Sequence, residues 1–140
     1  MTHEKLMPAI TLKRPWPYAI LHLYKRVENR SWKPPPWLIG RRLAIHAGKT
    51  WDAGGAEYIR ELGHDLPPDN PADHPAGVVV ATARLTEARY TEPAEDPDPW
   101  AFGPWLWVLS DVRAVIPPIE ARGQLGVWRV PARGMPGGAE

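Results

Sequence analysis

Residues 24–32, YKRVENRSW, set four charged side chains, Lys25, Arg26, Glu28 and Arg30, around one apolar residue, Val27, and end on Ser31 and Trp32. Laid out as a strand, alternate side chains share a face. Arg26, Glu28 and Arg30 then point one way, and Lys25, Val27 and Asn29 the other. A carboxylate flanked by guanidinium groups receives charge-assisted hydrogen bonds. It can accept from a nucleobase amino group or orient a neighbouring lysine. Lys25, placed where a helix gives way to the strand, could reach a phosphate or serve as a base if desolvated. A solvated edge strand carrying surface ion pairs worth ~0–1 kcal/mol would show the same pattern.

A second group is His46-Ala47-Gly48-Lys49. It reads as a strand end followed by glycine and a cation, with a helix opening next at Thr50, which is the composition of an anion-binding corner. A third is aromatic: Trp16, Trp32, Trp37 and Trp51 interleave with Lys and Arg in the first third of the chain. Such interleaving suits stacking on unpaired bases, although tryptophan is also a core residue, and at least half of the eight are expected inside. The five histidines, at 3, 22, 46, 64 and 74, form no HxxxH pair, and no cysteine supplements them, so no metal site is expected. Phosphate-loop and nucleophile-elbow motifs are absent from the sequence, and no cofactor is expected.

These groups need elements to hold them. PAITLK, residues 8–13, reads as a strand. A short proline-opened helix is expected from about Pro15 to Leu23. KRVENRSW alternates as a strand, KPPPWLIG is a loop, and RRLAIHAG is a strand with Leu43 and Ile45 on one face. Residues 50–63 suit a helix with Thr50 as N-cap and Gly63 as its stop, weakened by Gly54 and Gly55. VVVATARLTEARY, residues 78–90, is the clearest strand, set between the acid- and proline-rich loops 64–77 and 91–99. WLWVLSDVRAVIPPIEA reads as strand broken at Pro117, and LGVWRV as the last strand. Five or six short strands with one or two helices give an α+β class, a small mixed sheet closed into a barrel.

The chain has 140 residues, a length that favours one domain. The lack of cysteine points to a reducing compartment, and the lack of any long apolar run argues against a signal peptide or a membrane span, so a cytoplasmic protein is expected. The net charge of +1 hides an asymmetry: residues 1–50 hold ten Lys/Arg against two Asp/Glu, and residues 51–140 hold seven against fourteen. A basic N-terminal face with an anionic partner follows, unless the two parts interleave in space and neutralise each other.

The motif residues resemble the ASCH (activating signal cointegrator homology) family of the PUA-like superfamily. Its fingerprint, roughly GxKxxExR, stands here as Tyr24, Lys25, Glu28 and Arg30 without the usual glycine. LKRPWPYAIL is similar to the family's QPWA helix opening, and KRVENRSW to its KRVEGRSW type of segment. The later strands resemble it in order, so that the match covers residues 8–131, with 1–7 and 132–140 expected as flexible tails. The resemblance implies a small PUA-like β-barrel with flanking short helices, and a cleft between barrel and helix lined by the motif. It implies binding of RNA, single-stranded or modified, or of another nucleic acid or nucleotide-sized ligand. The contact set is then Arg14, Trp16, Tyr24, Lys25, Glu28, Arg30, Ser31, Trp32, His46 and Lys49. Some relatives are enzymes. A branch that deacetylates N4-acetylcytidine carries threonine where this chain has Glu28, and Ser31, the nearest hydroxyl, is displaced. Ribonuclease action would draw on Lys25 with Tyr24 for acid–base work. A third alternative is a protein-interaction adaptor using KPPPW; its protein partner is left open.

Overall fold

The apolar content of the central segments decides the layering. In the computed structural model, which describes residues 4–92 and 95–138, Arg42–Ala47 are buried without interruption, as in a strand covered on both faces. That strand, β3 (Arg42–Trp51), pairs in parallel with β1 (Leu6–Arg14) and antiparallel with β4 (Val78–Tyr90). The other strands are β2 (Val27–Arg30), β5 (Trp105–Glu120) and β6 (Trp128–Pro131). They form one mixed six-stranded sheet in the order β2-β5-β4-β3-β1-β6. Two helices, α1 (Trp16–His22) and α2 (Ala53–Glu61), complete a small α+β fold. The hydrogen-bonded order is open, with β2 and β6 at its ends, rather than a closed ring.

The two faces of β1 feed separate clusters. Ile10 and Leu12 pack with Leu43, Ile45 and Trp107, while Met7 and Ala9 pack with Val79, Trp128 and Val130. A third cluster under the helices joins Ala19, Val27, Ile59, Trp100 and Leu106. The β4–β5 ladder has three register shifts. Such bulges raise local twist and bend a sheet. The bend carries β2 round to β1, four places away in the ladder, so that Arg30 Nη2 donates to the Thr11 carbonyl at 3.1 Å.

Several sequence expectations change. β2 begins at Val27, not Lys25, because Tyr24 takes a left-handed φ of 56° and turns the chain before the strand starts. β3 runs on through Thr50 to Trp51, and the α2 cap is Asp52, whose Oδ1 accepts from Gly55 N at 2.9 Å. Pro117 does not end its strand. β5 continues past it by bulging, with Ala81 opposite Ala114 but Val79 opposite Ile119. Part of each expected tail is packed: β1 starts at Leu6 with Met7 buried, and Ala132 and Met135 join the second cluster. Arg42, buried, donates to Thr82 Oγ1 at 3.1 Å, and the Thr82 hydroxyl donates to Pro136 O at 2.7 Å. Residues 1–3 and 139–140 lie outside the described residues, as do 93–94 of the second acidic loop. Of the tryptophans, Trp100, Trp107 and Trp128 are buried, Trp16, Trp51 and Trp105 are half-buried, and Trp32 and Trp37 are exposed. Among the described residues no helix is long and apolar enough to cross a membrane.

The glycine pair of α2 has a packing cause at one position only. A Cβ on Gly55 would lie 2.5 Å from Trp16 Cζ2 and 2.8 Å from Asp52 Oδ2, whereas one on Gly54 would meet nothing closer than 3.7 Å. Alanine gains about 1 kcal/mol over glycine in a helix, and overpacking costs about 1–3 kcal/mol. Gly55→Ala is therefore expected to destabilise the fold by up to about 2 kcal/mol net, and Gly54→Ala to stabilise it by up to about 1 kcal/mol, in urea unfolding. Equal effects of the two changes would show that Trp16 does not press on the helix.

Candidate functional site

One cavity of about 1220 Å³ lies between β1, the start of α1, β2, β3 and the loop that follows β5. Glu28 and Arg30 come to its wall from β2, Trp16 from the first turn of α1, and His46 and Lys49 from β3. Five of the ten sequence-based site residues are thus brought together. Prolines around Trp16 start its helix, and Trp16 Nε1 donates to Asp52 Oδ2 at 2.9 Å, so the cap of α2 also fixes the indole. The ring sits edge-on to Trp100 and Phe102.

Lys25 lies beneath this wall rather than on it. It is 1 % exposed. Its Nζ donates to the Val27 carbonyl and, at 3.2 Å, to Glu28 Oε1, and stands 5.4 Å from the centre of the Trp16 ring. Burial holds the ammonium below the ordinary lysine value of 10.5, and the Glu28 carboxylate opposes that shift. On its other side Glu28 Oε2 faces Arg30 Nε at 3.3 Å. That contact is electrostatic only, because Arg30 Nε is buried without a hydrogen-bond partner. Glu28 is therefore held between Lys25 and Arg30, not between two arginines. The expected alternation fails because Arg26 precedes the strand: its guanidinium lies 4.0 Å from the Tyr24 ring centre, and Nη1 donates to Ile20 O at 2.8 Å.

The remaining expected residues stand elsewhere. Arg14 is an internal tie, donating to Gly48 O at 3.0 Å, Lys49 O at 2.7 Å and His74 O at 3.2 Å and pairing with Asp69. Tyr24 is 75 % exposed, Ser31 is exposed, and neither lines the cavity. Trp32 meets Trp107 edge-on at 5.0 Å, away from the cavity lining. The supposed His46–Lys49 corner is no helix start, since β3 continues through it.

His46 has its own network. The Trp128 indole N–H donates to Thr11 Oγ1 at 3.1 Å, and Thr11 Oγ1 is 3.2 Å from His46 Nδ1. His46 Nε2 is 2.7 Å from the Ala121 carbonyl. An indole can only donate and a carbonyl can only accept. The chain therefore runs Trp128 to Thr11 to His46 Nδ1, with Nε2–H donating to Ala121. Burial lowers the His46 pKa below its ordinary 6.5, which agrees with this neutral tautomer.

Sequence reasoning missed other lining residues, among them Thr11 and Lys13 on β1, Asn29 on β2, and Glu120, Arg122 and Leu125 at and beyond the end of β5. Asn29 organises the nearby loop, accepting from Phe102 N at 2.7 Å and Gly103 N at 3.0 Å and donating to Trp100 O at 2.9 Å. It stood inside the charged motif, and its amide was the available signal. The residues after β5 carried no local signal. The lining counts four cations, Lys13, Arg30, Lys49 and Arg122, against two carboxylates, Glu28 and Glu120. Among the described residues no group of His, Asp and Glu is arranged to hold a metal ion. No protein-family model matches the chain, and no curated protein matches it in sequence.

Enclosure of Lys25 sets a pH signature. The unfolded chain binds a proton near pH 10.5 that the folded chain releases at a lower pH. Stability due to this group rises with pH in that window, is complete above it, and is lost as pH falls through the folded value. The stability of wild type relative to Lys25→Met is thus expected to increase as pH is raised toward 10.5, measured by denaturant unfolding at a series of pH values. A flat difference would mean that the ammonium is solvated.

Proposed function

We propose that this chain is an ASCH-type, PUA-like domain that binds RNA, or another nucleic acid or nucleotide-sized ligand, in the cavity walled by Glu28 and Arg30. The observation that carries the reading is the mixed charge of the lining. Lys13, Lys49 and Arg122 suit phosphate oxygens, while Glu28 would repel a simple anion. A ligand that satisfies both must bring an anionic part and hydrogen-bond donors together, and a nucleotide does so through its phosphate and the N–H groups of its base. The cavity exceeds the roughly 300–1,000 Å³ usual for small-molecule sites, which favours a stretch of chain over a free metabolite. The convergence of Lys25, Glu28 and Arg30 and the curling of β2 toward β1 support the ASCH assignment and a barrel-like closure.

The hydrolase alternatives are less favoured. Lys25 Nζ is spent on Val27 O and Glu28 beneath the wall, and Glu28 stands where the deacetylase branch carries a hydroxyl. No acetate release from N4-acetylcytidine is expected.

Fluorescence anisotropy with a short labelled single-stranded RNA tests the reading. With three or four phosphates neutralised, log K against log salt is expected to slope at about −2 to −3, and Lys49→Ala or Arg122→Ala to reduce that slope by nearly one unit each. Glu28→Gln is expected to weaken binding by about 1–3 kcal/mol, the cost of losing a charged acceptor. Absence of binding at low salt, or binding indifferent to salt, would reject the proposal in favour of a protein-interaction role.

A further inference from the structure

Leu125 lines the same cavity as Glu28 and Trp16, and it is 98 % exposed, more than any other large hydrophobic residue of the described chain. The loop that carries it, residues 121–127 between β5 and β6, is anchored at its base and not at its tip. Ala121 accepts from His46 Nε2 at 2.7 Å. Gly123 is pressed onto the same imidazole, where a Cβ would lie 2.7 Å from His46 Cε1 and 3.0 Å from Thr11 Oγ1. Gly126, with a φ of 67°, turns the chain back into β6 and has open space around it. The loop base is therefore clamped to the cavity floor by the Trp128–Thr11–His46 chain, while Leu125 is held out at the mouth.

A leucine in that position gains nothing from the fold, and its apolar surface is free to meet a ligand that enters the cavity. The charged lining selects phosphate and N–H groups, and its one tryptophan, Trp16, is tied to Asp52 on the wall; Leu125 adds a separate apolar surface at the mouth. We infer that Leu125 is a ligand-contacting residue that covers the face of an unstacked nucleobase, so that the cavity selects single-stranded over duplex nucleic acid. In a duplex both faces of each base are already stacked, and no face is free for Leu125. The inference rests on the nucleic-acid reading of this cavity and assigns it a specificity element.

The test compares wild type, Leu125→Ala and Leu125→Phe by anisotropy at low salt on three probes: a single-stranded oligoribonucleotide, the same length made abasic, and the duplex. Both substitutions are at a surface position, and unchanged melting temperatures confirm folding. Leu125→Ala is expected to weaken the single strand about five- to tenfold, as loss of an apolar face contact should, to leave the abasic strand unchanged, and to keep the salt slope. Leu125→Phe is expected to restore or improve binding of the single strand, and wild type to prefer single strand to duplex. Unchanged single-strand affinity in Leu125→Ala, or an equal loss on the abasic strand, overturns the inference and leaves the nucleic-acid reading standing. Failure of wild type to bind any probe overturns both.

Discussion

A lysine ammonium with almost no exposed surface must find its compensation inside the protein, and the arrangement around Lys25 follows from that requirement. Taking a charge out of water costs several kcal/mol unless partners replace the lost hydration. Here the partners are the Val27 carbonyl, the Glu28 carboxylate and the face of Trp16. To deliver the side chain inward the backbone turns at Tyr24, which is why β2 starts late. To meet the ammonium Glu28 is drawn against it, and Arg30 balances its outer oxygen. To cover it Trp16 is held by Asp52, which also caps α2. One buried charge thus couples both helices to the end strand of the sheet.

The cavity is the concave result of a bent sheet. Bulges in the long β4–β5 pair bring β2 back toward β1, and the gap between them and β3 is left open. Its far wall is the loop after β5, tied to β3 through His46. The charge asymmetry along the chain is partly dissolved by this folding. Arg14 pairs with Asp69 and Arg42 with Asp111, and Arg26 is turned onto carbonyl groups, so these N-terminal cations hold the structure together. Lys13, Arg30 and Lys49 remain at the cavity, where Arg122 from the acidic part of the chain joins them.

The α+β class, the positions of β1, β3 and β4, and both helices were legible because periodicity and proline or glycine punctuation are local signals. The N-cap was misplaced by two residues because Thr50 and Asp52 are both good caps and only strand pairing shows that Thr50 still belongs to β3. Pro117 looks like a breaker because a proline cannot serve the ladder, yet a bulge excludes it from the ladder without ending the strand. Strict alternation failed in YKRVENRSW because a left-handed residue resets which face the next side chain takes.

By itself the sequence determined which groups would do the polar work: the Lys25, Glu28 and Arg30 types and spacing, the Trp16 helix start, and His46 and Lys49 on one strand. Their chemistry is intrinsic and their proximity along the chain is short. Only the tertiary structure decided their roles. It buried Lys25 and left Glu28 at the surface of the cavity, sent Arg14, Tyr24, Ser31 and Trp32 elsewhere, and brought Arg122 and Leu125 from some ninety residues away to complete the wall. The reason is physical: burial and long-range contact depend on how far the sheet bends, and bend is set by register between strands that no local pattern encodes.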